Sequence, residues 1–247
     1  MSFYHWLLLA SIIFCFIACL CWFLKLIKPV KDYAEPAGTV KDGVLYSSTV
    51  AMLPNHKESA YLHFPTYIAG IIFHIGILTA IVLVILQMIF PHFMHSAALG
   101  KNYESEIGLL NIAHEMKTIG NGGVFAGWTY VEWLRLVFGI GLLISACCGL
   151  GMLVKRFTNS ELKQLSNPDD FISSSLVTLF LIASACAMLF PLCAFSKPFV
   201  FVVATIMFCY MPFGKLRHFI YFFSARYQLG AFFGRRGTWS MKKQKNN

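Results

Sequence analysis

The sequence predicts an all-α integral membrane protein, a single five-helix bundle over residues 1–247 with its amino terminus outside and its carboxyl terminus in the cytoplasm. Three observations carry this. The chain is 57% hydrophobic and 13% charged, with a mean hydropathy of +0.66, a balance that ordinary water-soluble globules do not have. Its apolar residues fall into runs of roughly 20, the length that spans a bilayer core. Its basic residues sit asymmetrically, sixteen of the 20 on the sides assigned to the cytoplasm, and the positive-inside rule turns that bias into an orientation.

The first span is residues 6–24, free of charge from Trp6 to Leu24 and followed at once by Lys25, Lys28 and Lys31. It has no basic leader and no small-residue cleavage site, so it reads as an anchor and not as a cleaved signal. Residues 29–64 are polar and broken by Pro36, Gly38, Gly43 and Pro54, which predicts a surface loop. The second span, 65–90, opens on Pro65, where a first turn tolerates proline, and closes at Pro91. An outer loop, 91–132, holds a short amphipathic stretch from Ser105 to Thr118, with Ile107, Leu110, Ile112 and Met116 on one face. The third span is 133–154. A polar link leads to the fourth, 171–195, which Pro191 is expected to kink. The fifth is 198–224, followed by a cytoplasmic tail, 225–247, rich in Lys and Arg.

The net charge of +9 does not point to nucleic acid, because the basic residues flank apolar runs instead of lining a face with interleaved aromatics. They fit membrane lipid. All eight cysteines lie in apolar runs without a Cys-x-x-Cys pair, which argues against an iron–sulfur cluster, a structural zinc or a covalently attached haem within the chain. There is no nucleotide-binding glycine motif and no catalytic triad, so no complete catalytic site of its own is expected.

Two histidines stand out. His74 lies inside the second run and His218 at the end of the last. An imidazole withdrawn into hydrocarbon needs a partner that offsets its desolvation, and a metal is one such partner. Counted along straight helices, His74 is ~14 Å from the inner edge and His218 ~30 Å from the outer edge, so both fall in the inner half. Two antiparallel helices can hold one haem b there through its iron, with His74 and His218 as axial ligands. Lys215 and Arg217 would meet the propionates. The competing reading is a histidine hydrogen-bonded to a neighbouring helix, with His218 among interfacial basic residues. His5, His56 and His63 are expected to face solvent or headgroups, and His92, His95 and His114 to decorate the outer loop.

Phe73-His74-Ile75-Gly76-Ile77-Leu78, Pro91-His92-Phe93-Met94, Lys155-Arg156-Phe157 with Asp170, and Pro212-Phe213-Gly214-Lys215-Leu216-Arg217-His218 together resemble the gamma subunit of membrane-bound respiratory nitrate reductase. The wider family includes the cytochrome b subunits of heterodisulfide reductase-type and sulfite reductase-associated complexes. The resemblance covers about residues 65–227. It implies a five-helix cytochrome b in a prokaryotic cytoplasmic membrane, exchanging electrons with the quinone pool and a cytoplasmic-side iron–sulfur or other redox subunit. That subunit carries two haems on four histidines. Here His74 and His218 match the pair for the inner haem, whereas the positions for the outer pair fall at Val84 and Val200. One haem is therefore expected, and no quinone-binding residue is carried over. Two alternatives remain: a dihaem subunit serving a periplasmic cytochrome c through His92, His95 or His114, and a haem-free scaffold or transporter subunit in which His74 is a hydrogen-bonding or proton-relay group.

Overall fold

The computed structural model describes residues 3–26, 35–53, 63–90, 130–190 and 195–239, and all regular structure among them is helical. The α-helices are α1 (Phe3–Leu26), α2 (Val40–Ser48), α3 (Phe64–Ile89), α4 (Tyr130–Thr158), α5 (Ser160–Leu165), α6 (Pro168–Leu189), α7 (Ser196–Tyr210) and α8 (His218–Arg235). Short 3-10 turns cover Val50–Met52 and Lys215–Arg217. The helices α1, α3, α4 and α6 are each long and apolar enough to cross a membrane, and α7 with α8 would make a fifth span if the broken pair is counted as one. The amphipathic stretch expected at 105–118, and the kink expected at Pro191, lie outside the described residues.

Three expectations are corrected. The stretch 29–64 is not all loop. Thr39 caps α2 by accepting from the Asp42 amide at 3.2 Å, and Asp42 places a negative charge in the first turn. Nor does the fourth span begin at Phe171. Asn159 Oδ1 accepts from the amides of Glu161 and Leu162 and starts α5, while Asp170 Oδ2 accepts from the Asn167 amide and lets α6 begin at Pro168 instead of Phe171.

The third correction matters most for the site. Residues 198–224 do not form one helix: α7 stops at Tyr210, and the chain turns through Met211–Gly214 before a new helix starts at His218. Pro212 explains the break, because it has no N–H for the helical ladder and its ring clashes with the preceding turn. The amides of Phe213 and Gly214 both fold back onto the Tyr210 carbonyl, at 3.0 and 3.1 Å. What was read as the start of a cytoplasmic tail at 225 is helix as far as Arg235.

The described residues fall into two compact units. One comprises Met1–Ile12 with Ile68–Cys209, the other Ile13–Tyr67 with Tyr210–Asn247. In the first, α6 is central: 56% of its most apolar stretch is buried, against 22% for α3. Phe180, Leu181, Leu142, Ala146, Val200 and Met207 are almost wholly withdrawn from the surface. Arg156 pairs with the buried Asp170 at 3.4 Å and ties the end of α4 to the start of α6. Where α3 crosses α4, Gly76 faces the Ser145 side chain, whose hydroxyl donates to Ile72 O at 3.1 Å.

In the second unit α2 lies along α8 with backbone nearly touching backbone at Gly43, Gly230 and Gly234. The Ala37 and Gly38 amides donate to Arg235 O, and Trp239 closes the end against Phe233 and Tyr46 at centroid distances of 4.6 and 5.5 Å. Side chains of Ser224 and Gln228 on α8 both donate to Leu26 O, which ties α8 to the last described turn of α1. Ser47 on α2 is fully buried and its hydroxyl has no hydrogen-bond partner among the described residues. Ser47→Ala removes that cost and is expected to raise the stability of the detergent-purified protein by about 1 kcal/mol, read as a higher midpoint in thermal unfolding. A lower midpoint would show that the hydroxyl is satisfied in solution.

Candidate functional site

His74 and His218 belong to different compact units. His74 stands on the exposed side of α3 with Ile71, Ile75 and Leu78, an imidazole on an otherwise aliphatic stripe. The helix fixes its ring from below: Nδ1 is 2.7 Å from the carbonyl oxygen of Gly70, one turn earlier, and the Phe73 ring meets it edge-on at 5.9 Å. A carbonyl only accepts, so in this contact Nδ1 is the donor.

His218 has the same arrangement from a different local cause. It is the first residue of α8, and the 3-10 turn before it brings the Lys215 carbonyl to 2.8 Å from Nδ1. The depth reckoned for His218 along a straight helix from Pro198 does not hold, because the break at 211–214 intervenes. Its position is set by the turn that the Pro-Phe-Gly sequence imposes.

Lys215 and Arg217 come from that turn too, so the structure brings three of the four proposed site residues into one short segment. Lys215 is exposed. The Arg217 guanidinium lies over the rings of Trp22 at 5.2 Å and Tyr221 at 5.6 Å, and Lys25 lies over Trp22 at 5.4 Å. Stacking uses the face of the guanidinium, while its N–H donors lie in the plane. Tryptophan and tyrosine beside Lys and Arg are the residues that settle at a membrane–water boundary.

Among the other histidines, His5 does not simply face solvent. It is half-buried with its ring edge-on to Phe201 at 5.0 Å. His63 is exposed, as expected. His56, His92, His95 and His114 lie outside the described residues. Val84 and Val200 are packed in the core of the first unit, at 2% and 0% exposure, as aliphatic side chains should be.

Among the described residues no three His, Cys, Asp or Glu side chains are grouped as a metal would need. A haem iron asks for less, two axial donors with the porphyrin nitrogens supplying the rest. Taken singly, each imidazole has the backbone-carbonyl partner that a ligating histidine uses to fix tautomer and ring orientation. One group of sulfur side chains went unread in the sequence. Cys15, Cys19 and Met211 converge in the second unit, and only the Cys-x-x-x-Cys spacing gave a hint of it. Compared with protein-family models, with curated proteins and with solved structures, the chain finds no match among any of them.

Proposed function

We propose that the chain is a membrane-anchor cytochrome b of the kind found with respiratory nitrate reductase, holding one haem b between His74 and His218. The observation that carries the reading is that both imidazoles are restrained alike, each with its Nδ1 proton on a backbone carbonyl, at 2.7 and 2.8 Å. Iron would then be bound through Nε2 on both. Lys215 and Arg217 supply positive charge beside His218, and their role is to hold the propionates. The haem supplies one-electron chemistry between the quinone pool and a partner redox subunit.

The proposed orientation follows the charge bias, with the amino terminus outside a prokaryotic cytoplasmic membrane and the carboxyl-terminal end of α8 on the cytoplasmic side. An iron–sulfur or other redox partner would then meet the surface that contains α2, α8 and the basic residues after it, and anionic membrane lipid would meet the rest. Purified protein is expected to show a Soret band and, by pyridine haemochrome, one haem b per chain. Protein that folds and inserts but has no Soret band would make this a haem-free scaffold. Two haems per chain would bring His92, His95 or His114 into the ligand set.

A further inference from the structure

A group of three sulfur side chains gathers beside the middle of α1. Cys15 and Cys19 are one helical turn apart, and their sulfurs stand 3.8 Å from each other, far beyond the ~2.05 Å of a disulfide bond. Cys15 is 6% exposed. The Met211 thioether approaches from the break between α7 and α8, 3.5 Å from Cys15 Sγ. Its place there is not incidental to packing. Met211 is the first residue after α7, and the next, Pro212, is fully buried, so the turn that ends the helix also fixes where the sulfur points.

We infer that Cys15, Cys19 and Met211 form a three-sulfur site for a soft monovalent metal ion, copper(I) in the first instance. Thiolate and thioether together select copper(I), whereas zinc prefers four ligands drawn from thiolate, imidazole and carboxylate. The Cys15–Cys19 and Cys15–Met211 separations suit such a site: with metal–sulfur bonds of about 2.3 Å, ligands in a trigonal plane have sulfurs about 4 Å apart. The separations of 3.8 and 3.5 Å are slightly shorter, so a metal would spread the sulfurs by a few tenths of an ångström. Ligation by both thiols releases two protons to solvent and leaves the oxidation state of the ion unchanged. The complex then carries a charge of minus one, and the thioether adds none.

The test uses the full chain in detergent, equilibrated anaerobically with copper(I), dialysed against bicinchoninate and assayed for copper by mass spectrometry. The readout ignores haem iron. One copper per chain should resist the chelator, and its X-ray absorption should show sulfur alone at about 2.3 Å. Cys15→Ser, Cys19→Ser and Met211→Leu should each weaken retention at least about tenfold, whereas Cys21→Ser, on the same helix but exposed, should not change it. Met211→Leu conserves volume, so it keeps the test decisive if a serine variant fails to fold. Copper lost to the chelator by the parental chain, or held equally by Met211→Leu, means that these sulfurs only pack together and overturns the site.

Discussion

Gly234→Val is expected to separate α2 from α8 and to cost about 3 kcal/mol or more, the upper end of what overpacking does in a closed interface. A Cβ at position 234 would stand 2.6 Å from Thr39 O and 2.7 Å from Gly43 Cα, and one at 230 would stand 2.5 Å from Val44 Cα. Backbone cannot rotate out of the way as a flexible side chain can, so the helices must part. The arrangement is a small-residue seam, Gly230 and Gly234 spaced by four on α8, set against Gly43 on α2. In the parental protein the Lys41–Asp42 bond lies in the first turn of α2 and should resist trypsin. In the variant it should be cut, and Trp239, stacked on Phe233 and Tyr46, should move into a wetter setting with red-shifted emission. Gly141→Ala is the control, because nothing lies within 4 Å of a Cβ there. Unchanged proteolysis in Gly234→Val would show that the seam does not hold these helices together.

The spans were legible because bilayer thickness dictates them. α1, α3, α4 and α6 are runs of apolar residues long enough to cross, and composition alone finds such runs. The elements that sequence reading missed depend on other physics. Residues 29–64 are too polar to show an apolar stripe, and α2 is held by a Thr39 cap and by glycines that let backbone approach backbone. The signals were present, Thr39 with Asp42 three residues on and glycines at 230 and 234, but the segment's prolines and glycines argued for a loop. The break at 211–214 was equally visible as Pro-Phe-Gly. It was read as part of a resemblance, and the apolar character continuing on both sides of it hid its effect on the helix.

For the proposed haem site, residue type nominated the imidazoles and the cations, whereas the backbone partners of the two rings needed the fold, since Gly70 O is reached through a helical turn and Lys215 O through a 3-10 turn. The sulfur group was hidden for another reason: Met211 and Cys15 are 196 residues apart in the chain, and no local pattern joins them.

His74→Ala and His218→Ala are each expected to abolish haem binding completely, the largest effect in the protein if the two are axial ligands. Either change removes one of the two iron–protein bonds that would tether the noncovalent porphyrin, so either alone is expected to suffice. The same geometry says that the fold will survive. His74 and His218 are exposed in the chain itself, so truncation opens no core cavity. Each hydrogen bond that is lost goes to a carbonyl close by in the sequence, and a bond of that kind is worth about 1 kcal/mol. Membrane extraction, gel filtration and helix content should therefore match the parental protein while the Soret band vanishes. His74→Gln sharpens the point, because the amide offers a donor but no comparable ligand for iron. It should be as haem-free as the alanine variant. Parental haem content in either alanine variant would remove that histidine from the ligand set. Loss in His74→Ala with retention in His218→Ala would keep α3 as one wall of the site and move the second ligand elsewhere, to be sought first at His92, His95 and His114 by the same substitution.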